Sequence, residues 1–180
     1  MSDSISRLKE GNNKFLQKVA TGTVQLEIDA LPDANIGQKP FAIILSCSDS
    51  RVPVELIFDQ GFGDLFVVRV AGNLLADTQR ASIEFAAQNF ASKTVVVLGH
   101  SGCGAIKATL ETHADNRADH PLLGLVHKNI GDIEDLDSAI RANVQGTVNQ
   151  LAKNQTLKSE NVSIYGAVYD LSSGKVEFLP

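Results

Sequence analysis

The sequence lacks the features that mark membrane, secreted and nucleic-acid-binding proteins. It has no tryptophan, one methionine and two cysteines, and no apolar run approaches the ~20 residues needed to cross a bilayer. Its start, MSDSISRLKEGNNKF, has no apolar core of a signal peptide. The net charge is −5 with no run of lysines or arginines, which excludes the basic surface of a nucleic-acid binder. We therefore expect a cytoplasmic protein with neither a nucleic-acid nor a membrane partner.

What is present fits one globular domain. A chain of 180 residues with 43% hydrophobic and 21% charged residues can bury a sizeable core. We expect a single domain over 1–180, beginning with a helical arm at about 3–20 that is weakened by Gly11. The apolar positions of that helix are Ile5, Leu8, Phe15 and Val19.

Apolar, β-branched runs predict a sheet. Four such runs lie at 41–47, 65–70, 94–99 and 162–168. None alternates between apolar and polar residues, which is typical of parallel strands covered on both faces. Helical spacing occurs between them, at Ile83, Ala86, Ala87 and Phe90 and at Ile140, Val144, Val148 and Leu151. A short last strand in SSGKVEFLP follows a turn, so the fold class is α/β, a mostly parallel sheet of four strands plus an antiparallel edge strand, with helices on both faces.

This topology brings distant polar residues to one edge. Parallel strands all end at the same edge of a sheet, and ligands bind outside those carboxyl ends. Cys47 ends the first predicted strand and His100 follows the third, so we expect these residues to meet. Cys103 lies in the glycine-rich turn GHSGCG that enters a helix, where free N–H groups favour a thiolate.

Cys47, His100 and Cys103 form the Cys2His set of a catalytic zinc site, which leaves a fourth position for water. Each residue also has a simpler explanation. A lone cysteine at a strand end is more often a small buried apolar residue, and a lone histidine a capping or polar residue. GHSGCG alone resembles a phosphate-binding turn, although the lysine and serine of a P-loop are absent. The coincidence of both cysteines and one histidine at one edge favours the metal.

A carboxylate and a guanidinium follow Cys47 in SCSDSRVP. Asp49 and Arg51 could be a structural ion pair. Beside a metal, Asp49 would accept a hydrogen bond from the metal-bound water while Arg51 keeps it ionised and oriented. If Arg51 released it, Asp49 could instead bind the metal and close the site. The other histidines, at 113, 120 and 127, lie in a polar, flexible-looking stretch without ligand spacing, and we expect surface residues there.

CSDSR followed by HSGCG resembles the β-class carbonic anhydrases, whose pattern is C-x-D-x-R with H-x-x-C. The likeness extends to RLKEGNNKF, GQKP, GDLFVVRVAGN and YGAVYD. The resemblance implies one zinc ion per chain, bound by Cys47, His100 and Cys103. It implies a catalytic dyad of Asp49 and Arg51, with Asp49 as a fourth ligand only in a closed, inactive state. We expect Asp49 to be held off the metal near neutral pH.

The resemblance also implies an activity, carbonate dehydratase (a zinc lyase). Zinc-bound hydroxide, oriented by the Asp49–Arg51 dyad, would hydrate CO2 reversibly to bicarbonate and a proton. Gln38 would orient substrate, Phe66 would line the pocket at a dimer interface, and the Gly104 backbone would lie near the bound substrate. The family forms homo-oligomers, which implies a dimer or tetramer with the N-terminal helix around the partner.

Two other functions remain open at this point. A related enzyme could attack another linear electrophile such as CS2, which the sequence near the motifs does not distinguish. A zinc-stapled binding or redox module would have all four metal positions filled by protein and would not hydrate CO2. The Asp49–Arg51 pair argues against the second alternative, because a structural metal has no need of it.

Overall fold

One mixed sheet organises the molecule. The computed structural model describes residues 3–25, 37–112 and 120–180, and within them five strands form a sheet in the order β2-β1-β3-β4-β5. The strands are β1 Ala42–Ser46, β2 Leu65–Arg69, β3 Thr94–His100, β4 Ser163–Tyr169 and β5 Val176–Phe178. The first four are parallel and β5 is antiparallel to β4, which confirms the predicted fold class. β3 extends to His100, one residue further than predicted.

Helices connect and cover the strands. In the described ranges they are α1 Asp3–Thr21, α2 Val54–Ile57, α3 Asp77–Asn89, α4 Gly104–Glu111, α5 Pro121–Ile130, α6 Leu136–Ala152 and α7 Gln155–Ser159. A 3-10 turn, Ala71–Asn73, follows β2. Among the described residues, no helix combines the length and apolar character needed to cross a membrane.

The prediction of a flexible polar stretch around the later histidines is wrong for residues 121–130. These form α5, which begins with Pro121 and buries Leu123, Val126 and Ile130. His120 is exposed just before this helix and His127 is half-buried on it, whereas residue 113 lies outside the described residues.

The two faces of the sheet carry separate apolar clusters. In β1, Ile44 packs in the cluster that contains residues of α1 and α2. Its neighbours Ile43 and Leu45 pack in the cluster built by α3, α6 and α7. All five residues of β1 are buried, because adjacent side chains point to opposite faces and both faces are covered.

α1 packs closely on its own chain. Ile5, Leu8 and Phe15 are buried as predicted, but Val19 is 47% exposed and does not belong to the core. Gly11 lies inside the helix because α1 approaches α2 closely there. A Cβ at position 11 would lie 1.8 Å from the carbonyl oxygen of Phe58, so only glycine fits.

The register of the sheet aligns the ends of β1 and β3. Ser46 pairs with Leu98, so Cys47 leaves β1 beside the last residues of β3. Both cysteines belong to a third apolar cluster beyond the ends of the strands, to which α4, α5 and α6 contribute. Its other buried members are Leu74, Ile106, Val126, Ile130, Ala139 and Ile140. The carboxyl edge of the sheet is therefore closed off from water on one side.

Candidate metal centre

The structure brings together the three residues that the sequence nominates as metal ligands. The Sγ atoms of Cys47 and Cys103 and a ring nitrogen of His100 lie within 4.8 Å of one another, and all three residues are buried. Cys47 directly follows β1, His100 ends β3, and Cys103 immediately precedes α4. The topology of the sheet thus places side chains 53 positions apart in one cluster.

The imidazole of His100 presents an unused nitrogen to the thiols. Its Nδ1 lies 3.0 Å from the Ser101 carbonyl oxygen, which can only accept, so Nδ1 carries the proton. Nε2 is then a lone-pair acceptor, and it is buried without a hydrogen-bond partner among the described residues. A buried polar atom without a partner costs about 1–3 kcal/mol. Two thiols and this nitrogen are the donor set that zinc prefers, so the residues fit a zinc ion.

The two thiols differ in acidity. A hydrogen bond from Cys103 lowers the pKa of Cys47 to about 4, against the opposing effect of burial. The same hydrogen bond, together with burial, raises the pKa of Cys103. These shifts favour the thiolate at Cys47, and a divalent cation would favour loss of the proton from both thiols.

Asp49 and Arg51 form a two-pronged ion pair beside this cluster. Arg51 Nε donates to Oδ1 at 2.9 Å and Nη2 to Oδ2 at 2.8 Å, and the Arg51 backbone N–H also donates to Oδ1. These bonds hold the pKa of Asp49 well below its usual range, so the carboxylate is ionised. Its Oδ2 lies 3.9 Å from Nε2 of His100. Arg51 therefore holds the carboxylate next to the cluster but turned toward the guanidinium.

Two further groups support the loop after β1, and the sequence analysis did not assign this role to either of them. Arg69, the last residue of β2, donates through Nε to the Cys47 carbonyl at 3.0 Å and through Nη2 to the Asp49 carbonyl at 2.6 Å. Its position at the end of a neighbouring strand was the available signal. Gly72 donates its backbone N–H to Cys47 Sγ at 3.3 Å.

The Gly72 turn has an unusual backbone. Gly72 has φ +70° and ψ 19°, and the following Asn73 has φ +44°. A Cβ at position 72 would lie 3.3 Å from the Cβ of Ala105, so a side chain would be both strained and crowded. A left-handed backbone conformation at a non-glycine residue such as Asn73 costs about 1–3 kcal/mol. It persists only where the surrounding contacts enforce that conformation.

Of the other predicted site residues, Gly104 lies beside the cluster, whereas Phe66 and Gln38 lie away from it. Gly104 follows Cys103 and is exposed at the start of α4. Phe66 pairs with Ile43 near the start of β2, whereas Arg69 reaches the edge that carries the cluster. Its ring packs 5.8 Å from that of Phe90. Gln38 is exposed and precedes β1, so it also lies toward the opposite end of the strands from Cys47.

Comparison with known proteins decides the family. The family model for carbonic anhydrases matches residues 42–176. This chain belongs to the carbonic anhydrase family. A carbonic anhydrase of Mycolicibacterium smegmatis is 32% identical over 184 residues, which cover 94% of this chain and 89% of that protein. Carbonic anhydrase 2 of Mycobacterium tuberculosis is 46% identical over 103 residues, which cover 57% of this chain and 49% of that protein.

Solved structures place this carbonic anhydrase in the β class. The β-carbonic anhydrase CcaA superposes with a TM-score of 0.72 at 28% identity, covering 99% of this chain and 96% of that one. A tetrameric β-carbonic anhydrase of the ascomycete Sordaria macrospora superposes with a TM-score of 0.73 at 25% identity, covering 99% and 98%. The resemblance carried by CSDSR and HSGCG is therefore confirmed at the level of family and fold.

Proposed function

We propose that this chain hydrates CO2 reversibly to bicarbonate and a proton, using one zinc ion bound by Cys47, His100 and Cys103. The observation that carries the proposal is the buried Nε2 of His100, which has no partner among the described residues and faces two thiols. Membership of the carbonic anhydrase family supports the reaction.

When bound, zinc in a Cys2His site acts as a Lewis acid that lowers the pKa of a coordinated water. The protein's part is to hold the donor set. The Ser101 carbonyl fixes the tautomer of His100, and the apolar cluster around both cysteines limits access of bulk water. Among the described residues three donors converge, which would leave a coordination position for water and substrate, unlike in a structural zinc staple.

Asp49 and Arg51 supply orientation. The ionised Asp49 carboxylate would accept a hydrogen bond from the attacking water and direct its lone pair at CO2. Arg51 keeps the carboxylate in place through two bonds and prevents it from turning onto the metal. Asp49 would become a fourth ligand only when Arg51 releases it, which gives a closed, inactive state.

Gln38 and Phe66 suit an active site shared between copies of the chain. Both lie at the strand starts, away from their own cluster, while β2 is an edge strand. Next to it, Phe85 is 53% exposed and its ring lies 6.0 Å from that of Phe90. We infer a homo-oligomer, a dimer or tetramer, in which Gln38 and Phe66 contribute to the partner's substrate pocket and the Gly104 backbone to its own.

We place the enzyme in the cytoplasm, without a nucleic-acid or membrane partner. Both cysteines are free and buried, and a reducing compartment keeps such thiols available for metal binding. The acidic net charge of −5 gives no attraction to nucleic acid or anionic lipid.

Stopped-flow measurement of CO2 hydration across pH, on protein whose zinc content is determined in the same sample, tests this proposal. We expect activity proportional to bound zinc and falling at low pH. Folded, fully zinc-loaded oligomer with no rate above buffer would overturn it. The same samples assayed with CS2 separate the related electrophile from CO2.

A further inference from the structure

A chain of hydrogen bonds runs from helix α6 to the sulfur of Cys47. Asn143 donates through Nδ2 to the carbonyl of Gly72 at 2.8 Å. Gly72 in turn donates its N–H to Cys47 Sγ at 3.3 Å. Asn143 is only 1% exposed and comes 71 positions after Gly72, so this contact exists only in the folded chain.

Asn143 is itself held in one orientation. Asn129 on α5 donates through Nδ2 to the Asn143 Oδ1 at 3.0 Å, which identifies Oδ1 as the acceptor and Nδ2 as the donor. Gln150 donates to Asn129 Oδ1 at 2.7 Å and fixes the orientation of that amide as well. One turn along α6, Thr147 donates to the carbonyl of Asn73 at 3.4 Å. The 3-10 turn is therefore held from the helix side through two successive carbonyls.

We propose that Asn143 is a positioning residue for the metal centre, a role that rests on the proposed function. Gly72 has φ +70° and no side chain that could be held by neighbours. As a glycine it can adopt many other backbone conformations. The bond from Asn143 to its carbonyl selects the conformation in which the N–H points at Cys47 Sγ. That N–H would withdraw charge from the thiolate, so that the Cys47 sulfur would donate less charge to a bound metal and leave it a stronger Lewis acid.

No apolar residue replaces this amide. Asn143 donates to a carbonyl and accepts from an amide N–H at the same time, in a site without water access. Removing it leaves the Gly72 carbonyl without this donor and leaves the Asn129 amide with its longer bond to Thr147 Oγ1 at 3.3 Å, so the turn relaxes toward other partners.

Cobalt(II) in place of zinc gives a direct readout of the sulfur. In Asn143→Ala we expect the sulfur-to-cobalt charge-transfer band to move to lower energy, because a thiolate without the N–H bond is a better electron donor. Zinc binding, measured by competition with a chromophoric chelator, should weaken about tenfold, since thiolate stabilisation and preorganisation are both lost. Activity is recorded only as a secondary measurement.

Asn12→Ala is the matched control. Asn12 is also buried, donates to the carbonyls of Ile57 and Gly174, and accepts from the Val176 N–H, but contacts no residue of the turn through these bonds. We expect it to lower thermal stability while leaving the cobalt spectrum and zinc affinity as in the wild type.

The outcomes separate the two proposals. If folded Asn143→Ala keeps the wild-type spectrum and zinc affinity, Asn143 is merely structural and the inference is wrong. If Asn143→Ala does not fold, the milder Asn143→Ser is read by the same two measurements with the same expectations. If the wild type binds neither zinc nor cobalt, the proposed function fails and this inference fails with it.

Discussion

Among the described residues, two arginine–carboxylate pairs are each held by two hydrogen bonds, Arg51 donating through Nε and Nη2 and Arg141 through Nη1 and Nη2. Arg51 grips Asp49 through two hydrogen bonds of 2.9 and 2.8 Å. Arg141 on α6 grips Glu177 on β5 through two of 2.9 and 2.6 Å. In each pair the guanidinium lowers the pKa of the carboxylate. The fork itself therefore does not distinguish a candidate catalytic pair from a surface pair.

The surroundings of the two pairs differ. The Asp49 side chain is 17% exposed and lies 3.9 Å from the buried His100 ring nitrogen. The Glu177 side chain is 59% exposed and faces a groove of about 600 Å³ that contains other charged residues of both signs. The chemical role of each ion pair therefore depends on what its carboxylate faces. Asp49 faces the candidate metal ligands, whereas Glu177 faces solvent.

The largest effect should come from removing the cluster that distinguishes the first pair. His100→Ala deletes the unpartnered nitrogen, so we expect loss of bound zinc and a CO2 hydration rate equal to the uncatalysed rate. Metal analysis and stopped-flow kinetics measure both. His120→Ala, at an exposed histidine, should leave both unchanged, and retention of stoichiometric zinc by His100→Ala would contradict the ligand set.

The second-largest effect should be the difference in kcat between removing the arginine of the Asp49 pair and removing that of the Glu177 pair. Arg51→Ala frees Asp49 to turn away or onto the metal, so we expect about 10²–10⁴-fold lower kcat with zinc still bound. Arg141→Ala removes the same fork from Glu177 and should change kcat less than twofold. Equal kinetic effects of the two substitutions, at equal zinc content, would refute the assignment of the dyad.

The smallest effect should be on stability, at the solvent-exposed pair. The folded-state pKa of Glu177 is lowered, so its ion pair stabilises above the unfolded pKa and this contribution is lost as pH falls through the folded pKa. We expect Arg141→Ala to reduce the free energy of unfolding by about 0.2–1 kcal/mol at pH 7. The difference from wild type should shrink between about pH 5 and pH 3, and also in high salt.

Urea denaturation of wild type and Arg141→Ala at several pH values measures this difference. A difference that grows as the solution is acidified would show that Arg141 stabilises the fold through contacts other than its carboxylate partner.

The sequence predicted the parts of the site that follow from topology. Cys47 and His100 each end a buried strand, and the rule that parallel strands finish at one edge was enough to bring them together. The Asp49–Arg51 pair was also accessible, because its members are two positions apart. By contrast, α5 was missed although its buried residues Leu123, Val126 and Ile130 follow helical spacing and Pro121 marked its start.

The supporting groups were not assigned from the sequence for a different reason. Arg69 and Asn143 donate to backbone carbonyls far away in the chain, and Gly72 donates its own backbone N–H to Cys47 Sγ. Asn143 shares the buried face of α6 with Ile140 and Val144, and only the packing of α6 against the turn gives Asn143 this role. The orientation of the Asp49 carboxylate toward Arg51 likewise depends on side-chain torsions that the spacing of residues in the sequence does not determine.

The hydrogen-bond partner that orients the His100 ring determines which mutations can disturb that ring. It is the main-chain carbonyl of Ser101, a residue whose own N–H donates to the Tyr169 carbonyl at 2.9 Å and whose hydroxyl accepts from the Leu171 N–H at 2.9 Å. Every amino acid carries that carbonyl, so no codon change at position 101 deletes it. The tautomer of the His100 imidazole is thus determined by the path of the backbone. A mutation changes this tautomer only if it moves the ends of the strands.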